Sequence, residues 1–344
     1  MSPLYSVIFS SRCTSTHHRL ALDALRHLRG GNAQAWANVF LVQFEAYLKG
    51  AKAPDDTFKD FKNHVLHVAQ NYWGGADRAA QEWYAKTVEA LRAKKWKDAA
   101  YNAGVLSHYV VDPIQPFHTA QSETENVIHR AVEQSFSKSY ALFQEIIEAR
   151  GFYPDVALPA GPDWLIKTVR MGADAAHPLY DTIIDHYDFA RGARNPLDGL
   201  DDALREAIAP LVARAAVTFA RVLERAIEEA AVKPPFVLPA LDALLANMAA
   251  PIHKMRNAMA EGGERAYVRK MHKEFVKTGK VSKTLPEDDR AVRALHAQEV
   301  LKVPLAQLDA EMPRAIGGAH GSAIAGTKGA AAKKAARPAP KTPA

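Results

Sequence analysis

Residues 76–110 read ADRAAQEWYAKTVEALRAKKWKDAAYNAGVLSHYV, and this stretch decides the fold class. Its apolar residues recur three and four positions apart, which is the spacing that places them on one face of an α-helix. Strand-like alternation of apolar and polar residues is nearly absent from the chain. The helical pattern returns in four further stretches, residues 17–28, 125–149, 202–230 and 238–262. The sequence therefore predicts an all-α protein folded as a helical bundle.

Prolines and composition divide the chain into three parts. Residues 232–239 read VKPPFVLP, and the paired prolines end the long helix predicted before them. We therefore expect a helical domain over residues 1–232 and a basic helical extension over residues 233–316. Residues 317–344 are rich in Ala, Lys and Pro, with five Lys and Arg and no acid. This composition cannot bury enough apolar surface to offset chain entropy, so it predicts a disordered tail.

The net charge of +6 is concentrated in the C-terminal part of the chain. Residues 241–344 carry 18 Lys and Arg against 10 Asp and Glu, and the remainder is near neutral. A basic tail of this kind is typical of segments that contact nucleic acid or an anionic membrane. No apolar run approaches the ~20 residues that a membrane-spanning helix needs. Because no signal peptide is evident and Cys13 is the single cysteine, we expect a cytoplasmic protein.

Residues 107–118, SHYVVDPIQPFH, interrupt the helical pattern with two prolines and several polar side chains. The prolines cannot continue an α-helix, so a helix end and a turn are expected here. His108 and Asp112 are four residues apart at that helix end, and this spacing puts two side chains on the same helix face. His129 and Glu133 repeat the arrangement on the next predicted helix.

His118 lies between the two pairs, in a loop that can direct its ring toward either of them. Together the five side chains offer imidazole nitrogens and carboxylate oxygens within 26 residues, a mixed set that suits zinc. An isolated His–acid pair on a helix is usually a solvated ion pair. However, His108 and Asp112 lie in an apolar stretch, where burial without a partner is costly. The combination predicts a metal site.

This stretch resembles the core motif of the zinc-dependent phospholipase C and S1/P1 nuclease superfamily. In that motif, H-Y-x-x-D-x-x-Q-P-x-H is followed downstream by H-x-x-x-E. Here the motif reads His108, Tyr109, Asp112, Gln115, Pro116, His118, His129 and Glu133. The resemblance extends from His17 to about residue 145. It implies an all-α fold with clustered zinc ions in a cleft, and an enzyme that hydrolyses a phosphodiester of phospholipid or nucleic acid.

The resemblance also implies how the ligands are shared. His108 and Asp112 would bind one zinc ion together with an Asp and a His from upstream in the chain. His118, His129 and Glu133 would form a second site. Asp112 would bridge two of the ions.

Asp55, in GAKAPDD, resembles the upstream Asp of the family, and Asp56 is the alternative. The upstream His has two candidates. His67 lies twelve residues after Asp55, a spacing the family uses, whereas His64 has the more similar preceding Phe. We favour His67 and keep His64. Asp55 is also the residue that we expect to orient or deprotonate the attacking water.

A third zinc site departs from the family pattern. Relatives use the amino group and carbonyl of an N-terminal Trp together with a His at the start of the first helix. His17 matches that His, but no Trp precedes it. Cys13, one helical turn earlier, is a candidate for a thiolate ligand, although a lone cysteine is more often a buried apolar residue. We therefore expect two zinc ions and leave a third open.

Other polar and aromatic residues receive lesser roles. Tyr109 and Gln115 are plausible partners that orient the metal ligands. Trp73, in a Gly-rich loop, is the one aromatic residue considered for lining a substrate cleft. Residues 177–188, HPLYDTIIDHYD, have a metal-like composition, but we interpret their acids and histidines as solvated pairs.

Two functions are compatible with these patterns. The first is a zinc-dependent phosphodiesterase of phospholipase C or nuclease type. Its competitor is a non-catalytic helical scaffold stabilised by metal, whose basic C-terminal part binds nucleic acid or another anionic partner. The incomplete third site favours the competitor somewhat. Within the enzyme hypothesis, phospholipid and nucleic acid substrates both stay open, because selectivity depends on cleft residues outside the motif.

Overall fold

The computed structural model describes residues 2–316, apart from the side chains of residues 241 and 244. Eleven helices form the first part of this range: α1 (Pro3–Ser11), α2 (Thr16–Ala24), α3 (Ala33–Val42), α4 (Phe44–Ala53), α5 (Ala76–Arg92), α6 (Trp96–Val111), α7 (Glu123–Arg150), α8 (Trp164–Ala176), α9 (Leu179–His186), α10 (Phe189–Arg194) and α11 (Asp202–Ala230). The C-terminal part contributes α12 (Pro239–Thr278), α13 (Glu287–His296) and α14 (Leu305–Ala310). Strands β1 (Leu66–His67) and β2 (Trp73–Gly74) pair antiparallel. The fold is all-α, as the sequence predicts.

The boundary expected at residue 232 falls where the chain is not helical. Residues 232–238, with their paired prolines, connect α11 to α12 without regular structure. The tail predicted over residues 317–344 lies outside the described residues, so its partners stay a prediction, as does the location of the protein in the cell. No helix between residues 2 and 316 combines the length and the apolarity needed to cross a membrane.

The stretch 76–110 folds as a hairpin of two helices rather than as one. α5 ends at Arg92 and α6 begins at Trp96, and Lys94 between them adopts a left-handed backbone conformation with φ 53°. One continuous helix would carry the apolar face of its second half away from the protein. Turning the chain back packs α6 against α5, and such packing supplies most of the stability of a helix in a protein.

Two glycines set the crossing of α4 and α6. A Cβ atom added to Gly50 would lie 2.1 Å from the carbonyl oxygen of Tyr101. One added to Gly104 would lie 2.1 Å from the carbonyl oxygen of Tyr47. The two backbones therefore touch, which only glycine permits. His108 follows one helical turn after Gly104, so the close crossing brings its ring against the end of α4.

A buried polar cluster joins α1 and α2 to α7, the helix that carries the second His–acid pair. Asp23 on α2 accepts hydrogen bonds from the hydroxyl groups of Tyr5 and Tyr140, the latter at 2.6 Å, and from the amide of Gln144 at 2.8 Å. A buried carboxylate is tolerated only when it is hydrogen-bonded in this way. Asp23 lies in the last turn of α2, so the cluster fixes this helix, which carries His17 in its first turn, relative to α7.

The C-terminal helices pack onto this bundle beside the His–acid pairs. α12 contacts α1, α7 and α10. α13 is joined to the bundle by ion pairs from Lys59 to Glu287 and from Arg293 to Glu123, both at 2.8 Å. α13 consequently lies against the turn at residues 61–64 and against the start of α7.

Candidate metal centre

Asp112, at the C-terminal end of α6, contacts four imidazole rings. Its Oδ2 lies 2.9 Å from Nε2 of His108 and 3.3 Å from Nδ1 of His64. The same oxygen lies 3.5 Å from Nδ1 of His118, while Oδ1 lies 3.2 Å from Nε2 of His17. Four of the expected ligands therefore converge on the fifth, in a position where Asp112 is almost completely buried.

The sequence after Asp112 turns the chain so that His118 faces back toward it. Two short 3₁₀ turns, residues 112–114 and 116–118, follow α6, each with a proline in its first turn. The side-chain oxygen of Gln115 accepts a hydrogen bond from the backbone N–H of Phe117 and caps the second turn. Gln115 thus positions the loop of His118 rather than touching a ligand directly.

Asp55 joins the centre from the other side. A π-helical turn, Pro54–Phe58, extends α4 beyond Ala53, and such turns often occur at functional sites. Oδ1 of Asp55 lies 3.4 Å from Nδ1 of His64 and 3.6 Å from Nε2 of His108. Its Oδ2 accepts a 2.6 Å hydrogen bond from Lys52. Asp56, the alternative, is two-thirds exposed and has only a longer contact with Lys52.

The structure places His64, rather than His67, in the centre. His64 ends a 3₁₀ turn and its ring contacts Asp55, Asp112 and His108. His67 lies three residues later, at the second position of β1, and the centroid of its ring is 4.9 Å from that of Trp73. The expectation that favoured His67 is corrected by this geometry, because the chain changes direction between the two residues.

The same geometry places Trp73 away from the cleft. Its indole N–H donates a 2.9 Å hydrogen bond to Glu299, and its ring packs on those of His67 and His296. Trp73 therefore ties the C-terminal part to the bundle. The role in lining a substrate cleft is not supported by this placement.

A second group of ligands lies on α7 and the loop before it. Oε1 of Glu133 lies 3.7 Å from Nε2 of His129 and 4.0 Å from Nε2 of His118. The four-residue spacing of His129 and Glu133 gives them a common helix face, as the sequence predicts. His118 touches both this group and Asp112, so the two groups are contiguous.

The donor atoms of both groups fit a divalent metal better than they fit one another. Oδ2 of Asp112, Nδ1 of His118 and Nε2 of His129 are buried, yet within residues 2–316 they make no hydrogen bond of good geometry. Buried polar atoms without partners are costly. Imidazole nitrogen and carboxylate oxygen are the donors that zinc takes in proteins. The arrangement therefore fits zinc, and several groups of His and acid residues can hold an ion.

Carboxylates also make the centre attractive to cations. Burial alone would lower the pKa of His108, but Asp112 and Asp55 outweigh it and raise that pKa to about 9. Burial would likewise raise the pKa of Asp112, but the neighbouring His108, His118 and His17 hold it well below its usual range. The ionised carboxylates are thus available as ligands.

The third site remains incomplete around His17. The ring of His17 stacks on that of His108, with 4.0 Å between centroids, and contacts Asp112. Cys13 is buried, and burial raises the pKa of its thiol to about 12, which favours the neutral form. Within the described part of the chain, Cys13 belongs to none of the groups able to hold a metal. A third zinc ion stays a prediction.

Carboxylates that the sequence analysis did not single out orient two of the histidines. Nδ1 of His129 lies 2.6 Å from Oε1 of Glu125 and 2.9 Å from Oδ1 of Asp289. Glu125 is four residues before His129, so the helical spacing could have indicated it. Asp289 comes from α13 and has no local signal, because only the tertiary fold brings it to α7. Burial raises the pKa of Asp289 to about 7.

Asp60 plays the corresponding part for His64. Its Oδ1 lies 3.5 Å from Nε2 of His64, and its Oδ2 accepts a 2.7 Å hydrogen bond from the hydroxyl of Tyr109. Tyr109 therefore supports a candidate ligand through Asp60. Asp60 precedes His64 by four residues in a segment without clear helical pattern, so its position was not evident.

A cavity of about 400 Å³ opens directly onto the centre. Its floor includes Asp55, Asp112, His118 and Glu133. One part of its wall is apolar and is formed by Leu20, Val111, Ile114, Phe136, Ile208, Leu211, Val212 and Ala215. The rest of the lining is polar and mixes cationic side chains, Lys52, Arg130, Lys138 and Arg265, with the acids Asp56, Glu261, Glu264 and Asp288. The cavity therefore combines candidate metal ligands, an apolar wall and a polar wall of mixed charge.

The acids of residues 177–188 do not join the centre. Nδ1 of His177 is 3.0 Å from the hydroxyl of Thr119. Asp181 and Asp185 are exposed and pair with Arg314. These contacts agree with solvated pairs.

A helical bundle with contiguous imidazole and carboxylate groups beside a cleft is typical of metal-dependent hydrolytic enzymes. The family model described as zinc-dependent phospholipase C matches residues 16–197, which is more than half of the chain. The chain therefore belongs to the zinc-dependent phospholipase C family.

Individual proteins match the chain more weakly than the family model does. No curated protein sequence matches the chain. Among solved structures, an alpha toxin from Clostridium absonum is similar at a TM-score of 0.49 and 14% sequence identity. The match covers 64% of this chain and 64% of the toxin chain.

Proposed function

We propose that this protein is a zinc-dependent phospholipase C, which cleaves the phosphodiester between the glycerol and the headgroup of a phospholipid. The observation that carries the proposal is the cavity in which a cluster of candidate zinc ligands meets an apolar wall. The metal donors suit a phosphodiester, and the apolar wall suits the glycerol and acyl part of a lipid.

The proposed ligands divide between two contiguous groups. Asp55, His64, His108 and Asp112 would hold one zinc ion, and His118, His129 and Glu133 would hold another. His17 and Asp112 would contribute to a third ion if one binds. Zinc, when bound, supplies positive charge that polarises the phosphoryl group and acidifies water.

Asp55 is the proposed catalytic residue. Burial alone would raise the pKa of its carboxyl group, but His108 and Lys52 hold it well below the usual range. A carboxylate with a low pKa is a weak base, so its stronger contribution is to accept a hydrogen bond from the attacking water and orient it. Lys52, paired with Asp55 at 2.6 Å, keeps that carboxylate in place.

Two cations at the rim can receive the anionic substrate. Arg130 pairs with Glu133 at 3.2 Å and with Glu264 at 2.9 Å, and Lys138 pairs with Glu261. These pairs hold the cationic side chains at the mouth of the cavity, where a phosphate would pass them. Because each cation is paired with Glu, the two side chains offer N–H donors to a phosphate rather than an excess of positive charge.

The lining of the cavity favours phospholipid over nucleic acid. Proteins that bind single-stranded nucleic acid stack its bases on aromatic side chains. Among the described residues that line the cavity, Phe136 is the only aromatic residue apart from the histidines. An aliphatic wall that includes Leu20, Ile208 and Leu211 offers no stacking platform.

The test compares substrates on one preparation of zinc-loaded protein. Phosphatidylcholine vesicles, single-stranded DNA and RNA are incubated in parallel, with Asp112→Asn as the matched control. We expect release of phosphorylcholine that stops on chelation and is lost in the variant. Hydrolysis of DNA or RNA alone would assign the nuclease activity instead. Full zinc loading without hydrolysis of any substrate would support the non-catalytic scaffold.

A further inference from the structure

An unpartnered row of large apolar side chains runs along the first half of α12. The row consists of Leu245, Met248, Ile252, Met255 and Met259, each between 57% and 74% exposed. Alternating steps of three and four residues place all five on one side of the helix. Phe236 and Leu238, which precede α12, are also exposed. The row spans about 21 Å at 1.5 Å per residue.

The opposite side of the same helix is committed to the bundle. Ala243, Ala246 and Ala250 are buried against it, and the amide of Asn257 donates a 3.2 Å hydrogen bond to the carbonyl of Ser11. Small residues thus face the bundle and large apolar residues face outward. A helix that is stabilised only by its own bundle would turn its large apolar side chains inward. The exposed row therefore indicates a binding partner.

α12 also forms part of the cleft. Asn257, Ala260, Glu261, Glu264 and Arg265 line the cavity that opens onto the metal centre. The apolar row therefore ends within one helical turn of the cleft wall, and whatever covers the row lies next to the cavity.

The charges beside the row indicate an anionic partner. Residues 243–260 contain no Asp or Glu, whereas Arg256, beside the row, and Lys254, farther around the helix, are exposed. Pairing with a second copy of the helix would call for opposite charges flanking the row. The flanking positions instead hold Ala249, Pro251, Arg256 and Ala258. The exposed cations therefore favour an anionic surface, such as lipid phosphates, over another α12.

We propose that α12 docks this row onto a phospholipid surface and thereby holds the cleft at the membrane–water interface. The inference rests on the proposed phospholipase C function and names the surface on which that function operates. Helices that lie in an interface combine one apolar face with basic flanking residues. Three of the five side chains are methionines, whose flexible thioethers adapt to irregular apolar surfaces.

The experiment uses the full-length zinc-loaded protein and two triple variants. Met248→Gln/Ile252→Gln/Met255→Gln removes the centre of the row. Met171→Gln/Val276→Gln/Leu301→Gln removes exposed apolar side chains elsewhere and is the matched control. Co-sedimentation with vesicles of phosphatidylcholine and phosphatidylglycerol measures binding. The rate of hydrolysis of vesicle lipid, divided by the rate for soluble bis-p-nitrophenyl phosphate, measures how much vesicle binding contributes to lipid hydrolysis.

We expect the row variant to lose at least tenfold in vesicle binding and in the activity ratio, with the control variant close to the wild type. Equal binding by the row variant and the wild type would overturn the inference, even if both hydrolyse the lipid. Binding that depends on the row without hydrolysis by any form would support the inference while removing the proposed function. A wild-type dimer that the row variant dissociates, with vesicle binding retained, would assign the row to a second copy and overturn it.

Discussion

The metal centre and the first half of α12 use apolar and polar surface in opposite ways. At the centre, a backbone contact between Gly50 and Gly104 brings polar groups together in a buried position. Along α12, small residues face the bundle and large apolar ones face outward. The centre is therefore organised for a small cation, and the helix is organised for an extended surface. The difference separates the chemistry of the protein from the way it meets its substrate.

The C-terminal part nevertheless reaches the centre at one buried carboxylate. Asp289 on α13 lies 2.9 Å from Nδ1 of His129, whose Nε2 faces Glu133. The family match ends at residue 197, so Asp289 lies outside it. We therefore expect substitutions in the metal centre to change the rate of hydrolysis. Substitutions in the C-terminal extension should change membrane binding, or should change zinc affinity through the orientation of His129.

The largest effect is expected from Asp112→Asn. Asp112 contacts four imidazoles and is a proposed ligand of the first zinc ion and of a third ion if one binds, so the variant loses charge that this position needs. We expect the hydrolysis rate to fall about 10³-fold or more, the scale of removing transition-state charge stabilisation. Zinc content by atomic absorption should fall as well. Wild-type activity in this variant would break the assignment of the centre.

A smaller but sharper contrast is expected between two neighbouring histidines. His64→Asn removes a proposed ligand, and we expect a loss of zinc affinity of more than about 100-fold, beyond the range of second-sphere changes. His67→Asn alters a buried ring that does not face the centre, and its zinc affinity should stay within tenfold of the wild type. Zinc titration against a competing chelator measures both. The reverse order would restore the preference for His67.

Asp289→Asn tests the direct contact between the extension and a candidate ligand, His129. Partners that orient a metal-bound histidine typically contribute 10–100-fold to metal affinity or activity, and we expect a loss of about that size. Glu287→Gln is the matched control, because it removes an exposed carboxylate from the same helix. If both variants behave alike, α13 acts only as a cover and Asp289 orients nothing.

The smallest effects concern glycines, and their signs should differ between the two regions. Gly104→Ala places a Cβ against backbone at the α4–α6 crossing, and overpacking of this kind costs about 1–3 kcal/mol of folding free energy. Gly262→Ala on α12 meets open space, and it should stabilise by about 0.5–1 kcal/mol through helix propensity. Chemical denaturation measures both. Equal signs would mean that the crossing is looser than described.

Local rules explain why most of the candidate ligands that the sequence indicates lie close together in the structure. The four-residue spacings of His108 with Asp112 and of His129 with Glu133 follow from helix geometry, and the turn that presents His118 follows from its prolines. The choice between His64 and His67 could not be made, because it depends on where a 3₁₀ turn passes into a two-residue strand. Spacing along the chain does not encode that change of direction.

The contacts that the C-terminal part makes with the centre could not be predicted from the sequence, for a different reason. Asp289 meets His129 only through tertiary packing, and no pattern along the sequence pairs residues that far apart. The apolar row of α12 has ordinary helical periodicity, which predicts a helix but does not tell which face the bundle takes. Only the burial of Ala243 and Ala246 in the structure decides that the larger side chains lie outside.

The most direct test of the central claim is an anomalous difference map, recorded at the zinc absorption edge from crystals grown with zinc. We predict one peak enclosed by Asp55, His64, His108 and Asp112, and another enclosed by His118, His129 and Glu133. Peaks confined to other residues, such as His67 and His296, or no ordered zinc in either group, would contradict the account.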